Sequence, residues 1–194
     1  MHSGAIPTIS CSKSTASPPR MTEREQLRSP TVVDTTVLSS FAYTGDLDVL
    51  DWAPARLVTV AAVHDELRAG VENGYDFFDP AIEAVERVAF DSDPDTALRN
   101  ALDRGEAHAL SAADEHDGTL ATDDRAAREL AAEREISVTG SIGLLVQLIV
   151  DGQLGIDDAD KVLRRWIDEA GYRAPIERIS DALPEDYREP GGRR

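Results

Sequence analysis

The sequence predicts an α/β domain whose parallel sheet is covered by helices on both faces. Two observations carry that prediction. From residue 31 onward, short apolar runs alternate with helix-patterned stretches, as parallel strands joined by crossover helices do. In addition, 194 residues with 41% hydrophobic side chains can fill one sizeable core with some tail left over.

Taken in order, TVVD is the first strand and ends on Asp34. TVLSSFAYTG and DLDVLDWA read as helices with Gly45 between them. RLVTV is a second strand leading into the helix AAVHDELRAGVENG. DPAIEAVERV opens with Asp79 and Pro80, a helix-start signal, and VAF supplies a short third strand. SDPDTALRNALDRGEAHALSAADEHDG is one helix or two, broken at Gly105. TLAT is the fourth strand, DDRAARELAAERE the helix after it, ISVTG the fifth strand and SIGLLVQLIVDG a buried helix. IDDADKVLRRWIDEAG then puts Ile156, Ala159, Val162, Leu163, Trp166 and Ile167 on one helical face, which packs on the domain.

Residues 1–30 carry four bases and two acids amid Ser, Thr and Pro, whereas the rest of the chain carries 16 bases and 35 acids. This break marks a disordered leader, inside which Met21 is a candidate start. The organisation that follows is a leader over 1–30, a domain over 31–152, a C-terminal helical extension over 153–183 packed on the domain, and a fraying tail over 184–194.

The net charge is −17, and Lys13 and Lys161 are the only lysines. Acidic charge spread along the body with little lysine suits a halophilic cytoplasm, where salt screens the self-repulsion. The lone cysteine, Cys11, excludes an intrachain disulfide framework and a Cys-based metal site. The longest apolar run, IGLLVQLIV, is too short to span a bilayer, and the leader lacks the apolar segment of a signal peptide. The expectation is a cytoplasmic protein with no membrane partner. The four histidines are scattered and read as surface residues. No Gly-rich phosphate loop or Ser–His–Asp pattern is present.

The informative residues are acids in positions where acids are costly. Asp34 ends the first strand and Asp124 follows the fourth, so both belong at the carboxyl edge of the sheet, where open α/β folds bind ligands. Glu66 interrupts the apolar stripe of Ala62, Val63 and Leu67, and Glu106 leads the face of Ala109, Leu110 and Ala113. Each has a plain structural reading: Asp34 and Asp124 as helix caps, Glu106 as a first-turn acid. Together they point to a cation. Clustered carboxylates repel one another, a hard divalent ion removes that penalty, and an oxygen-only donor set favours Mg2+ or Mn2+.

The stretches VVDTTVLSS, VAAVHDEL, LDRGEAHAL, LATDDRAAREL and VTGSIGLL resemble, in order and spacing, the motifs of a PIN domain over residues 31–152. The GEAHAL and TGSIGLL forms resemble a VapC-toxin-like branch of poorly characterised archaeal and bacterial members. The resemblance implies a PIN-like three-layer α/β/α fold with a five-stranded parallel sheet ordered 3-2-1-4-5. It also implies a metal-dependent nuclease whose catalytic and metal-holding acids are Asp34, Glu66, Glu106 and Asp124. Around them it implies supporting roles for Thr36, Thr122, Asp123, Arg128 and Ser141. One or two Mg2+ or Mn2+ ions held there would activate water against an RNA phosphodiester, leaving a 5′-phosphate and a 3′-hydroxyl.

An RNA substrate, a homodimer and a role as the toxin of a type II toxin–antitoxin pair, with an antitoxin partner, are further implications of the resemblance. Arg104, Arg125 and Arg128 either form a basic rim for the strand or pair with surface acids. The alternative functions are a non-cleaving PIN module that binds nucleic acid or protein, and an acid-pocket phosphatase. The phosphatase reading wants Asp-x-Asp after the first strand, where this chain has Thr36. A receiver domain wants paired acids before its phosphorylated strand and a late lysine, neither of which is evident.

Overall fold

The computed structural model describes residues 27–90 and 93–188. Most of the expected leader and the last six residues of the tail lie outside them. Five short strands make one all-parallel sheet: β1 (Thr31–Val33), β2 (Leu57–Thr59), β3 (Glu86–Arg87), β4 (Thr119–Ala121) and β5 (Ser137–Thr139). Their order is β3-β2-β1-β4-β5, and helices flank the sheet in a three-layer α/β/α arrangement. The chain first builds outward from β1 to β3 and then restarts on the other side of β1 with β4. The topological switch point therefore lies between β1 and β4.

Burial on both faces explains the composition of the central strands. Every residue of β1 and β4 is buried, so neither strand shows in–out alternation. The third strand is an instructive departure. The expected VAF segment is not a strand; pairing instead falls on Glu86 and Arg87, opposite Val58 and Thr59. An edge strand has one free side, and charged residues there discourage edge-to-edge association.

Helices α1 (Thr35–Thr44), α2 (Ala61–Glu72), α3 (Asp79–Ala84), α4 (Thr96–Ala101) and α5 (Arg104–Glu115) precede β4. Helices α6 (Arg125–Glu133), α7 (Ser141–Val150), α8 (Ile156–Asp168) and α9 (Glu185–Arg188) follow it. Gly45, at φ 74°, ends α1 with its N–H on Ala42 O while Asp46 N–H reaches Phe41 O, the left-handed closure that glycine makes cheaply. The segment DLDVLDWA is a 3-10 helix over Leu47–Trp52. The long acidic stretch divides at Leu102 and Asp103 and not at Gly105, because Asp103 and Glu106 form a capping box that starts α5. Where fraying was expected from residue 184, Glu185–Arg188 form the short α9.

The extension is tied to the domain. Ala159, Val162, Leu163 and Trp166 of α8 are buried, and Trp166 meets Phe41 of α1 edge-on at 4.8 Å between ring centres. Arg165 is paired with buried Asp46, which also accepts from Thr44 Oγ1 at 2.6 Å. Ile156 and Ile167, expected on the packed face, are instead more than a third exposed, so the apolar stripe is narrower than the sequence pattern suggests. Trp166→Ala is expected to destabilise the protein by about 3–5 kcal/mol, the range for emptying a large aromatic site in a core. Chemical denaturation of the two proteins measures it.

Candidate active site

The sheet register brings the site together. Val33 lies opposite Ala121, and Ala121 opposite Thr139, so the residues that follow them stand level at the carboxyl edge. Asp34 N–H donates to Ala121 O at 3.0 Å and Thr122 N–H to Thr139 O at 3.1 Å, extending the ladder one step past the strands. Asp34, Thr122, Asp123, Asp124 and Ser141 are thus gathered at the switch point by backbone pairing alone.

Asp34 caps α1: Oδ1 accepts from Val37 N–H at 3.0 Å and from Thr36 Oγ1 at 2.7 Å. The capping account of this residue therefore holds for one oxygen. It does not cover the other. Oδ2 is fully buried and makes no hydrogen bond of normal geometry. Burial pushes the carboxyl up to about 6. The Thr122 hydroxyl close by, the Val37 N–H and the Thr36 hydroxyl pull it back, and the charge of Asp123 adds to the rise.

Glu106 sits in the first turn of α5, half-buried, with Oε2 accepting from Asp103 N–H at 3.2 Å. Loss of water pushes it up to about 7, followed by the charge of Asp124; the Asp103 N–H lowers it, and Asp34 and Asp103 add smaller rises. Asp124 caps α6 through Ala127 N–H at 2.8 Å. Asp34, Glu106 and Asp124 thus share one electrostatic environment although their sequence positions are far apart.

Glu66 faces inward from α2 as expected, and both its oxygens are engaged. Oε1 accepts from Gly105 N–H at 2.6 Å and Oε2 from Thr35 Oγ1 at 2.5 Å. It therefore joins the first turn of α5 to the first turn of α1. A Cβ on Gly105 would run into the Glu66 carboxylate, which would have to swing aside and give up this contact.

The supporting residues form a second layer. Thr36 Oγ1 accepts from Asp123 N–H at 2.9 Å while donating to Asp34. Thr122 Oγ1 accepts from Asp124 N–H at 3.0 Å. Asp123 accepts from Ser141 N–H at 2.9 Å, from Ser141 Oγ at 2.5 Å and from Tyr172 OH at 3.2 Å. Burial, then the charge of Asp123 and the bond to it, raises the Tyr172 phenol. Arg128 donates to Thr122 O at 3.0 Å and Thr139 O at 2.8 Å, binding the ends of β4 and β5 together.

The basic rim is not free as drawn: Arg104 pairs with Asp65 at 3.3 Å and Arg125 with Glu129 at 2.7 Å. Both pairs are exposed and correspondingly weak. His64, expected at the surface, is buried in α2, because its position shares the inward face with Val63 and Leu67. Thr35 and Tyr172 are site residues that the sequence reading missed. Thr35 lay beside a hydroxyl already assigned a role, and Tyr172 reaches Asp123 across 49 positions with no local pattern to signal it.

A family model described as a PIN domain matches residues 30–186. The chain belongs to the PIN-domain family. The match takes in α8 as well as the sheet, so the C-terminal helix lies within the family's span. No curated protein matches this chain. PIN domains are generally nucleases and typically use divalent metals, and the donors here suit such an ion: oxygen only, with one buried carboxylate oxygen lacking a partner. As the side chains stand, no three His, Cys, Asp or Glu among the described residues converge closely enough to hold one. Glu106 and Asp124 are both partly exposed, and each is held by a cap bond, from Asp103 N–H and Ala127 N–H.

The raised Asp34 carboxyl has a consequence for stability. Folding raises its pKa, so its favourable contribution is complete below the unfolded value near 4 and disappears as pH rises through about 6. In buffer containing chelator, Asp34→Asn is expected to melt higher than wild type above pH 7, with a gain of order 2 kcal/mol. The gap should close toward pH 4. Thermal melts of both proteins across that range measure it.

Proposed function

We propose that this PIN domain is a metal-dependent ribonuclease that hydrolyses RNA phosphodiester bonds, leaving a 5′-phosphate and a 3′-hydroxyl. The observation that carries the reading is the buried Asp34 Oδ2 that makes no hydrogen bond of normal geometry, in a site where the charges of Asp124 and Asp34 both act on Glu106. Asp34, Glu106 and Asp124 would supply oxygens to Mg2+ or Mn2+, with Glu66 as the fourth acid. The ion, when bound, supplies positive charge that acidifies water and offsets charge on the attacked phosphate.

The remaining work belongs to the chain. Thr36 holds Asp34 Oδ1 in place and so aims Oδ2 at the site. Glu66, through Gly105 N–H, fixes the turn that carries Glu106. Ser141 and Tyr172 hold Asp123 back from the other acids, and Arg128 locks the strand ends that present Asp124. Water delivers its oxygen to phosphorus, and the departing 3′-oxygen takes up a proton. Glu106, raised to about 7 without metal, would be drawn back to its carboxylate form by a cation held there, which suits it to binding the ion. A toxin role, with an antitoxin partner and a homodimeric assembly, is part of this proposal.

A non-cleaving PIN module is the second reading, favoured by the lack, among the described residues, of three acids already converged on one point. One experiment separates the two. With the net charge of −17 screened by molar potassium chloride, wild type should cleave a mixed RNA pool only with Mn2+ or Mg2+, and its melting temperature should rise with Mn2+. Asp34→Asn keeps a capping acceptor, so it should stay folded, lose cleavage and lose most of the metal-dependent rise. Wild type with neither cleavage nor a metal response would end the nuclease reading. A metal response without cleavage favours the binding module, and Asp34→Asn cutting at the wild-type rate would show the site to be wrong.

A further inference from the structure

Five of the chain's ten aromatic residues line one cleft. A cleft of about 380 Å³ opens between α1, the short 3-10 turn Asp76–Phe78 and the segment after α8, lined among others by Tyr43, Tyr75, Phe77, Phe78 and Tyr172. Only 5% of the chain is aromatic, yet three of its four tyrosines lie here. Tyr43 and Tyr75 are 48% and 55% exposed, the most exposed large hydrophobic residues among those described. Phe77 holds both edge-on, at 5.0 Å and 70° to Tyr43 and at 6.0 Å and 68° to Tyr75, which braces the rings while leaving them open to solvent.

Two features connect this cleft to the acids. Tyr172 lines it and donates from its hydroxyl to Asp123 at 3.2 Å, so cleft and site share a wall. Tyr43 lies nine residues beyond Asp34, on the helix that Asp34 caps, a rise of about 14 Å. A strand with its phosphate at the acids can therefore reach the cleft within a few nucleotides.

The lining carries no charged side chain, on a chain whose net charge is −17. A nucleic acid gains little here from phosphate neutralisation, and aromatic faces are what the cleft offers in its place. Only bases already out of a duplex can use them. A second copy of the chain fits less well. Besides the two tyrosines, only Ile156 and Ile167 are exposed large hydrophobics among the described residues, which leaves few apolar anchors for an interface of roughly 800 Å² per partner.

We propose that this aromatic cleft is a stacking subsite for one or two unpaired bases of a strand bound at the acidic site. The proposal rests on the nucleic-acid reading of that site, and its test does not depend on cleavage. The probes are a fluorescein-labelled ten-nucleotide oligoadenylate RNA and an abasic ten-mer with the same phosphates. Binding is read by anisotropy in chelator at fixed potassium chloride.

The full chain should hold oligoadenylate at least tenfold more tightly than the abasic strand. The double variant Tyr43→Ala/Tyr75→Ala should lose on the order of tenfold, while Tyr43→Phe/Tyr75→Phe keeps the wild-type affinity because the ring is what stacks. Equal binding of the two probes, binding of neither, or wild-type affinity in the double alanine variant would overturn the proposal. So would an alanine pair that only converts a dimer to a monomer, which would assign the face to a second copy. Base-dependent binding by a chain that never cuts with Mn2+ would uphold the cleft and refute the nuclease reading. Metal-dependent cutting with an unchanged KM in the double alanine variant would refute the cleft alone.

Discussion

Asp34 carries a charge into the interior at the point where the order of the sheet reverses, and much of the surrounding structure exists to hold it there. Its backbone extends the β1–β4 ladder, one oxygen starts α1, and the other is buried without a partner. A cap alone would need only the first oxygen. Thr36 uses one hydroxyl to fix Asp34 and to receive Asp123 N–H, so the two strand ends are placed by the same atom. A buried carboxylate oxygen with only the Thr122 hydroxyl near it is costly, and a cation is what the proposed function would supply to offset that cost.

Glu66 extends that logic across the helical layer. It spans from Thr35 to Gly105, the first turns of the two helices that carry Asp34 and Glu106 at their starts. The distance between those acids is therefore set by a third acid. Its partners are a threonine hydroxyl and a glycine amide, and a side chain at position 105 would displace the Glu66 carboxylate from this place. Asp123 is held by Ser141 and Tyr172, so part of its negative charge is met by protein donors while the rest still acts on Asp34.

Much of this was legible in the sequence where local patterns govern. The strand and helix alternation placed four of the five strands, and the position of Asp34 after VV marked it as an edge acid. Glu66 stood out because it broke an apolar stripe. Patterns failed where pairing or distant contact decides. Glu86 and Arg87 form β3 because β2 offers them hydrogen bonds, not because they are apolar. The break before α5 lies at the capping box of Asp103 and Glu106, two residues before the glycine that drew attention. His64 is buried by the same inward face that carries Val63 and Leu67. Tyr172 and the aromatic cleft depend on how α8 returns to α1, which the amphipathic pattern of α8 implies only in outline.

The claim on which all of this turns is that the second oxygen of Asp34 is there to meet a divalent cation. Crystals grown in high salt and soaked with Mn2+ test it, because manganese is located by its anomalous scattering. The account predicts an anomalous peak at about 2.1 Å from Asp34 Oδ2, with Glu106 or Asp124 turned in to share it. No peak at Asp34, or manganese bound elsewhere while Oδ2 stays buried and unpaired, would contradict it.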